Sequence, residues 1–139
     1  MSHVNSGNCL KCKEIMDKYP GMNKDLRDWL EEFQAACPEV HVSCAGRGRV
    51  EQESDYQRGA SRAHYGQSAH NFNCAVDTFV MIHDLDLYDK HWFQSILGPK
   101  ITSKLEWYGL PGASFYELPH IQIKNWKDLV QQGLAKLVE

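Results

Sequence analysis

The chain of 139 residues lacks several features that would fix its class at once. No apolar run reaches the roughly 18 residues of a membrane span. Met1 to Lys13 is polar and has no apolar stretch of the signal-peptide kind, so no secretory signal is visible. Basic charge is not in excess: 15 Lys and Arg stand against 18 Asp and Glu, for a formal charge of −3. That excludes binding driven mainly by a cationic surface, because counterion release needs clustered Lys and Arg. Internal repeats, low-complexity tracts and domain-dividing linkers are absent. Cys9-Leu-Lys-Cys12 is a lone Cys-x-x-Cys, with no second such pair and no His-x-x-x-His to complete a structural zinc site. Turn-like Ser6-Gly7-Asn8 precedes it, where a redox motif would want a strand. It therefore reads as two thiols at the start of a helix. Five cysteines, an odd count without a signal peptide, point to reduced thiols made in a cytosol.

What is present suits one domain of ordinary globular balance, 42% hydrophobic and 24% charged, which argues against long disorder. A helical part is expected over about 1–38. Lys11 to Tyr19 is a short helix stopped by Pro20-Gly21. Asn23 caps a second one, whose Leu26, Trp29, Leu30 and Phe33 form an apolar stripe before Cys37-Pro38 ends it. A core region follows over about 40–124. Val40 to Cys44 alternates as a strand, and Val50 to Arg58 is a short helix closed by Gly59. Gly66 to Asn73 is a loop, and Cys74 to Met81 is a buried strand interrupted by Asp77. Asp86 caps a helix to Leu97, with Trp92, Phe93, Ile96 and Leu97 at helical spacing. Leu105 to Tyr108 and His120 to Ile123 are strands, and Pro111-Gly112 is a turn. Asn125 opens a last helix over about 125–139, with Trp126, Leu129, Val130, Leu134 and Leu137 inward. Without a regular βαβ rhythm, this order predicts an α+β domain: a small, mostly antiparallel sheet with flanking helices.

Two segments place titratable groups where core residues belong: Ser68-Ala69-His70 through Asp77, and Glu117-Leu118-Pro119-His120. A carboxylate buried without a partner costs several kcal/mol. His70, Asp77 and His120 would supply two imidazoles and a carboxylate, three ligands that leave a fourth zinc position open to water. Glu117 is then a spare carboxylate able to take a proton from that water. On residue types alone, two plainer readings stand beside it: Asp77 caps a helix or meets Arg47, and His70 is a loop histidine. Pro119 holds Glu117 and His120 on a stiff extended segment, unlike the helical His-Glu-x-x-His arrangement.

Ser68-x-His70-x6-Asp77 followed by Glu117-x-Pro119-His120 resembles the M15 group of zinc peptidases. That group includes the VanX/VanY-like D-Ala-D-Ala peptidases and the phage L-alanyl-D-glutamate endopeptidases. Ser43-Cys44-Ala45-Gly46-Arg47-Gly48-Arg49-Val50-Glu51-Gln52 and Gly59-Ala60-Ser61-Arg62 resemble its upstream segments in the same order, so the likeness runs from about Val42 to Ile123. It implies a Hedgehog/DD-peptidase-like fold and one Zn²⁺ held by His70, Asp77 and His120. Glu117 would be general base and then acid, and Arg47 would steady the oxyanion, with Arg49 close enough to take that place. Ser68 and Gln52 would be substrate or supporting groups. Asn73 stands where the group usually has Gly, and Asn tolerates a left-handed backbone better than most residues.

The resemblance implies a peptidoglycan peptidase, specifically a monomeric phage endolysin that cuts the L-alanyl-D-glutamate bond of the stem peptide. Such an enzyme is made without a signal peptide in the host cytoplasm, and reaches the wall once the inner membrane is permeabilised. It neither inserts stably in membranes nor binds nucleic acid. The rivals are a D-alanyl-D-alanine carboxypeptidase or dipeptidase, a non-catalytic zinc-binding module, and a thiol oxidoreductase using Cys9 and Cys12. Trp107, Tyr108, Phe115 and Tyr116 are candidates for a groove wall or for core packing. His64 and Tyr65 are cleft or surface residues. Trp29, Trp92 and Trp126 are expected in the core and His91 on a helix face. His83, Asp84, Asp86 and Asp89 form a solvated loop and cap rather than a second cation site.

Overall fold

The computed structural model describes residues 9–18, 20–110 and 117–139. The expectations for Ser6-Gly7-Asn8, Tyr19, Pro111-Gly112, Phe115 and Tyr116 lie outside the described residues. Four strands form one sheet in the order β1-β2-β4-β3: β1 (Val40–Cys44), β2 (Ala75–Val80), β3 (Leu105–Tyr108) and β4 (Glu117–Ile123). Every pairing is antiparallel, as the irregular order of helices and strands predicts. Helix α1 (Leu10–Lys18) and helix α2 (Lys24–Ala36) precede the sheet, and α3 (Arg49–Gln57) follows β1. The Asn23 side chain accepts from the Leu26 amide, the expected cap of α2.

Strand alternation gives the sheet two unlike faces. Val40, Val42, Val76, Val80, Ile121 and Ile123 are buried and join Leu26, Leu30 and Phe33 of α2 in the apolar core. Each such side chain contributes about 1.5–3 kcal/mol on leaving water. The intervening positions put Asp77 and His120 directly opposite each other on β2 and β4. A bulge after Val42 sets Cys44 opposite Asp77 as well. The polar residues therefore meet at the middle of the sheet, on the face away from α2.

Several expectations need correction. The helix expected from Asp86 starts later, as α4 (Lys90–Trp92), because Asp89 rather than Asp86 accepts from the Trp92 amide; Asp86 instead accepts from Tyr88 in the preceding turn. It continues with wider π-type bonds over Phe93–Leu97 and tightens at Gly98–Lys100, which leaves Ile96 exposed. The last helix, α5 (Trp126–Gln131), has 6 residues, fewer than half of those expected over about 125–139. Gly133 turns the chain at φ +73°, so Leu134 and Leu137 face solvent and Val138 is buried instead. Trp29 and Trp126 are half-buried, while Trp92 is in the core.

The expected loop at Gly66–Asn73 contains a 3₁₀ turn, Ala69–Phe72, capped by the Ser68 hydroxyl, which accepts from the His70 amide. Asn73 ends that turn at φ 58°, the left-handed conformation its side chain tolerates. A β-branched residue there should cost about 1–2 kcal/mol. In urea unfolding we expect Asn73→Val to lose stability on that scale and Asn73→Gly to keep the backbone turn.

Candidate metal centre and active site

His70 from the 3₁₀ turn, Asp77 from β2 and His120 from β4 converge as expected. His70 Nε2, His120 Nδ1 and Asp77 Oδ1 form a triangle with all three edges 3.2 Å. Tetrahedral zinc with bonds of about 2.0–2.1 Å requires ligand–ligand edges of about 3.3–3.4 Å. The other ring nitrogens fix the tautomers. His70 Nδ1 lies 2.7 Å from the Ala45 carbonyl oxygen, which can only accept, so that nitrogen carries the hydrogen. His120 Nε2 lies 2.7 Å from Gln122 Oε1 and donates to it. Both imidazoles in this neutral state turn bare lone pairs toward an ionised carboxylate. Three acceptors at contact distance with no hydrogen between them suit a cation, and the residues fit a divalent metal ion.

The electrostatics agree. Burial disfavours the Asp77 charge, but His70 and His120 outweigh it and hold the carboxyl well below the usual range. Burial also opposes charge on His70, yet Asp77 and Cys44 hold the imidazole up to about 10 without an ion. The cluster thus takes up a positive charge, either a proton or a metal. The Glu117 carboxylate, at the start of β4, lies within 4.8 Å of the donor atoms of Asp77 and His120. A cleft of about 650 Å³ opens over these groups; Arg47, Ser68, Glu117 and Gln122 are on its wall, with Arg62 and Lys127 among the other lining residues.

Arg47 lies on the cleft wall beside Asp77. Its Nη2 is 3.7 Å from Asp77 Oδ2 and 3.3 Å from Cys44 Sγ, its Nη1 donates to Gln52 Oε1 at 3.0 Å, and its Nε is 3.3 Å from Asp55. Arg49 cannot replace it, since its guanidinium stacks over the Tyr65 ring, 4.5 Å from the centroid, outside the cleft. Gln52 is fully buried and does not face the cleft; it ties Arg47 to Ser61 and Ala63. Of the two readings of Trp107, the structure takes core packing: its ring is buried, and Nε1 donates to the Leu118 carbonyl at 2.7 Å, bracing the strand next to Glu117 rather than lining the cleft. Trp126, expected in the core, packs against its edge beside Phe72 and also lines the cleft. His64 hydrogen-bonds Glu53 and stacks on Tyr56, and Tyr65 donates to the Val138 carbonyl; neither lines the cleft.

Sequence reasoning missed Asn71 and Asp55. Asn71 is fully buried; it donates to the Arg47 carbonyl and Gln52 Oε1 and accepts from the Gly66 and Ser68 amides. No local signal marks Asn71. Asp55 was readable, because it stands three residues after Gln52 and so shares its helical face.

Two outcomes follow. Since His70 is protonated below about pH 10 in the ion-free state, metal must displace that proton. Metal affinity should therefore rise with pH toward 10, and calorimetry in buffers of different ionisation enthalpy should record proton release. Gln122→Leu removes the acceptor that orients His120, and competition with a chromophoric chelator should show metal affinity reduced by about 10- to 100-fold.

Neither a family model nor a curated protein sequence matches this chain. Solved structures do. The L-Ala D-Glu endopeptidase ChiX of Serratia marcescens superposes with a TM-score of 0.65 at 19% identity, over 86% of this chain and 90% of that one. DacB from Streptococcus pneumoniae D39 superposes with a TM-score of 0.50 at 21% identity, over 85% of this chain and 76% of that one. The chain thus has the α+β fold that the ChiX peptidase has.

Proposed function

We propose that this chain is a zinc-dependent peptidoglycan peptidase with His70, Asp77 and His120 as metal ligands and Glu117 as the proton-transferring base. The observation that carries the reading is the triangle of three lone pairs beside an additional carboxylate, in a cleft on a peptidase fold. Zinc held there supplies Lewis acidity, which makes water more acidic and a carbonyl carbon more electrophilic.

The chain's own groups do the rest. Glu117 takes one proton from the attacking water, whose oxygen bonds to the amide carbon. It then delivers that proton to the departing amine nitrogen as the C–N bond breaks. Arg47, held in place by Gln52 and Asp55, presents permanent positive charge beside Asp77, where negative charge develops on the carbonyl oxygen. Ser68 shapes the turn that carries His70. Arg62 and Lys127, both exposed on the cleft lining, suit a substrate that bears carboxylates, as stem peptides do.

The L-alanyl-D-glutamate bond is the proposed target, and the protein's proposed role is that of a phage endolysin acting on the wall from the cytoplasmic side after the membrane fails. The likeness of Ser68 to Asp77 and of Glu117 to His120 to a peptidase group that includes the phage endopeptidases supports this, as does the fold shared with an L-Ala D-Glu endopeptidase. Mass spectrometry of digested peptidoglycan tests it. New L-alanine carboxyl and D-glutamate amino ends should appear, disappear with chelator and return with zinc. Release of terminal D-alanine would overturn the bond assignment, and cleavage that persists in chelator would overturn the metal. Glu117→Gln should lower kcat about 100- to 10,000-fold with zinc content unchanged.

A further inference from the structure

The Cys-x-x-Cys pair that the sequence leaves as two thiols acquires a third partner in the fold. Donor atoms of Cys9, Cys12 and His41 all lie within 4.8 Å of one another. Cys12 Sγ is 3.2 Å from His41 Nδ1, and both residues are buried. The Cys12 amide points at Cys9 Sγ at 3.2 Å, and the Val42 amide points at Cys12 Sγ at 3.4 Å. Backbone N–H groups aimed at both sulfurs favour thiolates, the form that binds metal. Tetrahedral zinc with two sulfurs at about 2.3 Å and a nitrogen at about 2.0 Å needs edges of about 3.5–3.8 Å, which donors within 4.8 Å of one another can reach by small side-chain shifts.

The way α1 is attached is a second, independent observation. Among its described residues only Cys12 is buried, with Ile15 and Met16 partly so. A nine-residue helix with so little apolar burial is marginal by itself. Yet it packs across β1, an edge strand, and its one buried side chain meets His41 of that strand. The Phe79 ring stacks on His41, 5.5 Å between centroids, and holds the imidazole in its plane.

We propose that Cys9, Cys12 and His41 form a second divalent-metal site, of the thiolate-rich structural class, that clamps α1 onto β1. The site is separate from the cleft and does not depend on the catalytic reading. Among the described residues no fourth protein ligand joins these three, and Cys9 is partly open to solvent.

Cobalt substitution reads the site directly, because a thiolate-bound cobalt ion gives an intense near-ultraviolet charge-transfer band that nitrogen and oxygen ligands do not. The reduced full chain, titrated with cobalt, should develop this band. Cys9→Ser and Cys12→Ser should lose it along with one metal equivalent. Asp77→Asn should keep it, and so should Cys44→Ser, which removes the thiol nearest the cleft. Circular dichroism checks folding; Cys9→Ser, at a partly exposed position, decides the matter if Cys12→Ser fails to fold. No band in the reduced wild-type chain, or a band that survives in Cys9→Ser, overturns the proposal. A Cys9–Cys12 disulfide that persists by intact mass in reductant, with no band, overturns it as well.

Discussion

Where His70, Asp77 and His120 meet, three electron-pair donors stand 3.2 Å apart with their hydrogens turned outward. Such atoms repel unless positive charge lies among them, and low dielectric makes that repulsion costly. A proton on His70 or a metal ion supplies that charge, and much of the surrounding architecture maintains the geometry. Ala45 and Gln122 hold the hydrogens on the far ring nitrogens. The cross-strand register of β2 and β4 sets Asp77 against His120. The bulge after Val42 ends β1 where the Ala45 carbonyl reaches His70.

A second layer of buried polar groups supports the first. Asn71, Gln52, Ser61 and the backbone of Arg47 and Ala63 satisfy one another in a closed network. That network joins α3, the 3₁₀ turn and the loop after β1 into one rigid wall of the cleft. An unsatisfied buried polar group costs about 1–3 kcal/mol, so these partners are mutually obligatory. Arg47 is thereby immobilised before any ligand arrives, which lowers the entropic cost of using its charge. On the other side, Trp107 braces the Leu118 backbone, and Gly109 permits this because a Cβ there would fall 2.0 Å from the Trp107 ring.

Strand β1 links the two clusters. Its register places His41 beneath α1 and Cys44 beside the cleft, on the same polar face. An edge strand fixed by a helix is shielded from pairing with other chains, and here the same strand leads directly into the loop that carries Ala45 and Arg47. Attachment of α1 and organisation of the cleft are therefore mechanically continuous.

Local chemistry is what the sequence could determine. Alternation marked β1 and β4, an acid inside an apolar run marked Asp77, and Pro119 kept Glu117 and His120 extended. The Asn23 cap was equally visible, because it depends on its own side chain and near neighbours, whereas the left-handed turn at Asn73 was implied only by the family resemblance. Wherever two local signals competed, or the partner was remote, packing decided. Asp89 won the cap over Asp86, and the turn at Gly133 ended α5 before Leu134 and Leu137 could turn inward. Arg47 and Arg49 are two residues apart, yet only one faces Asp77, because α3 begins between them. Trp107 went to the core and Trp126 to the border of core and cleft, a choice set by which sheet face each element covers. His41 lies 29 residues beyond Cys12, and no spacing rule joins them. Residue types specified which chemistries were available; only the register of the strands and the seating of α1 determined which groups came within bonding distance, since those contacts arise from long-range burial rather than from neighbours along the chain.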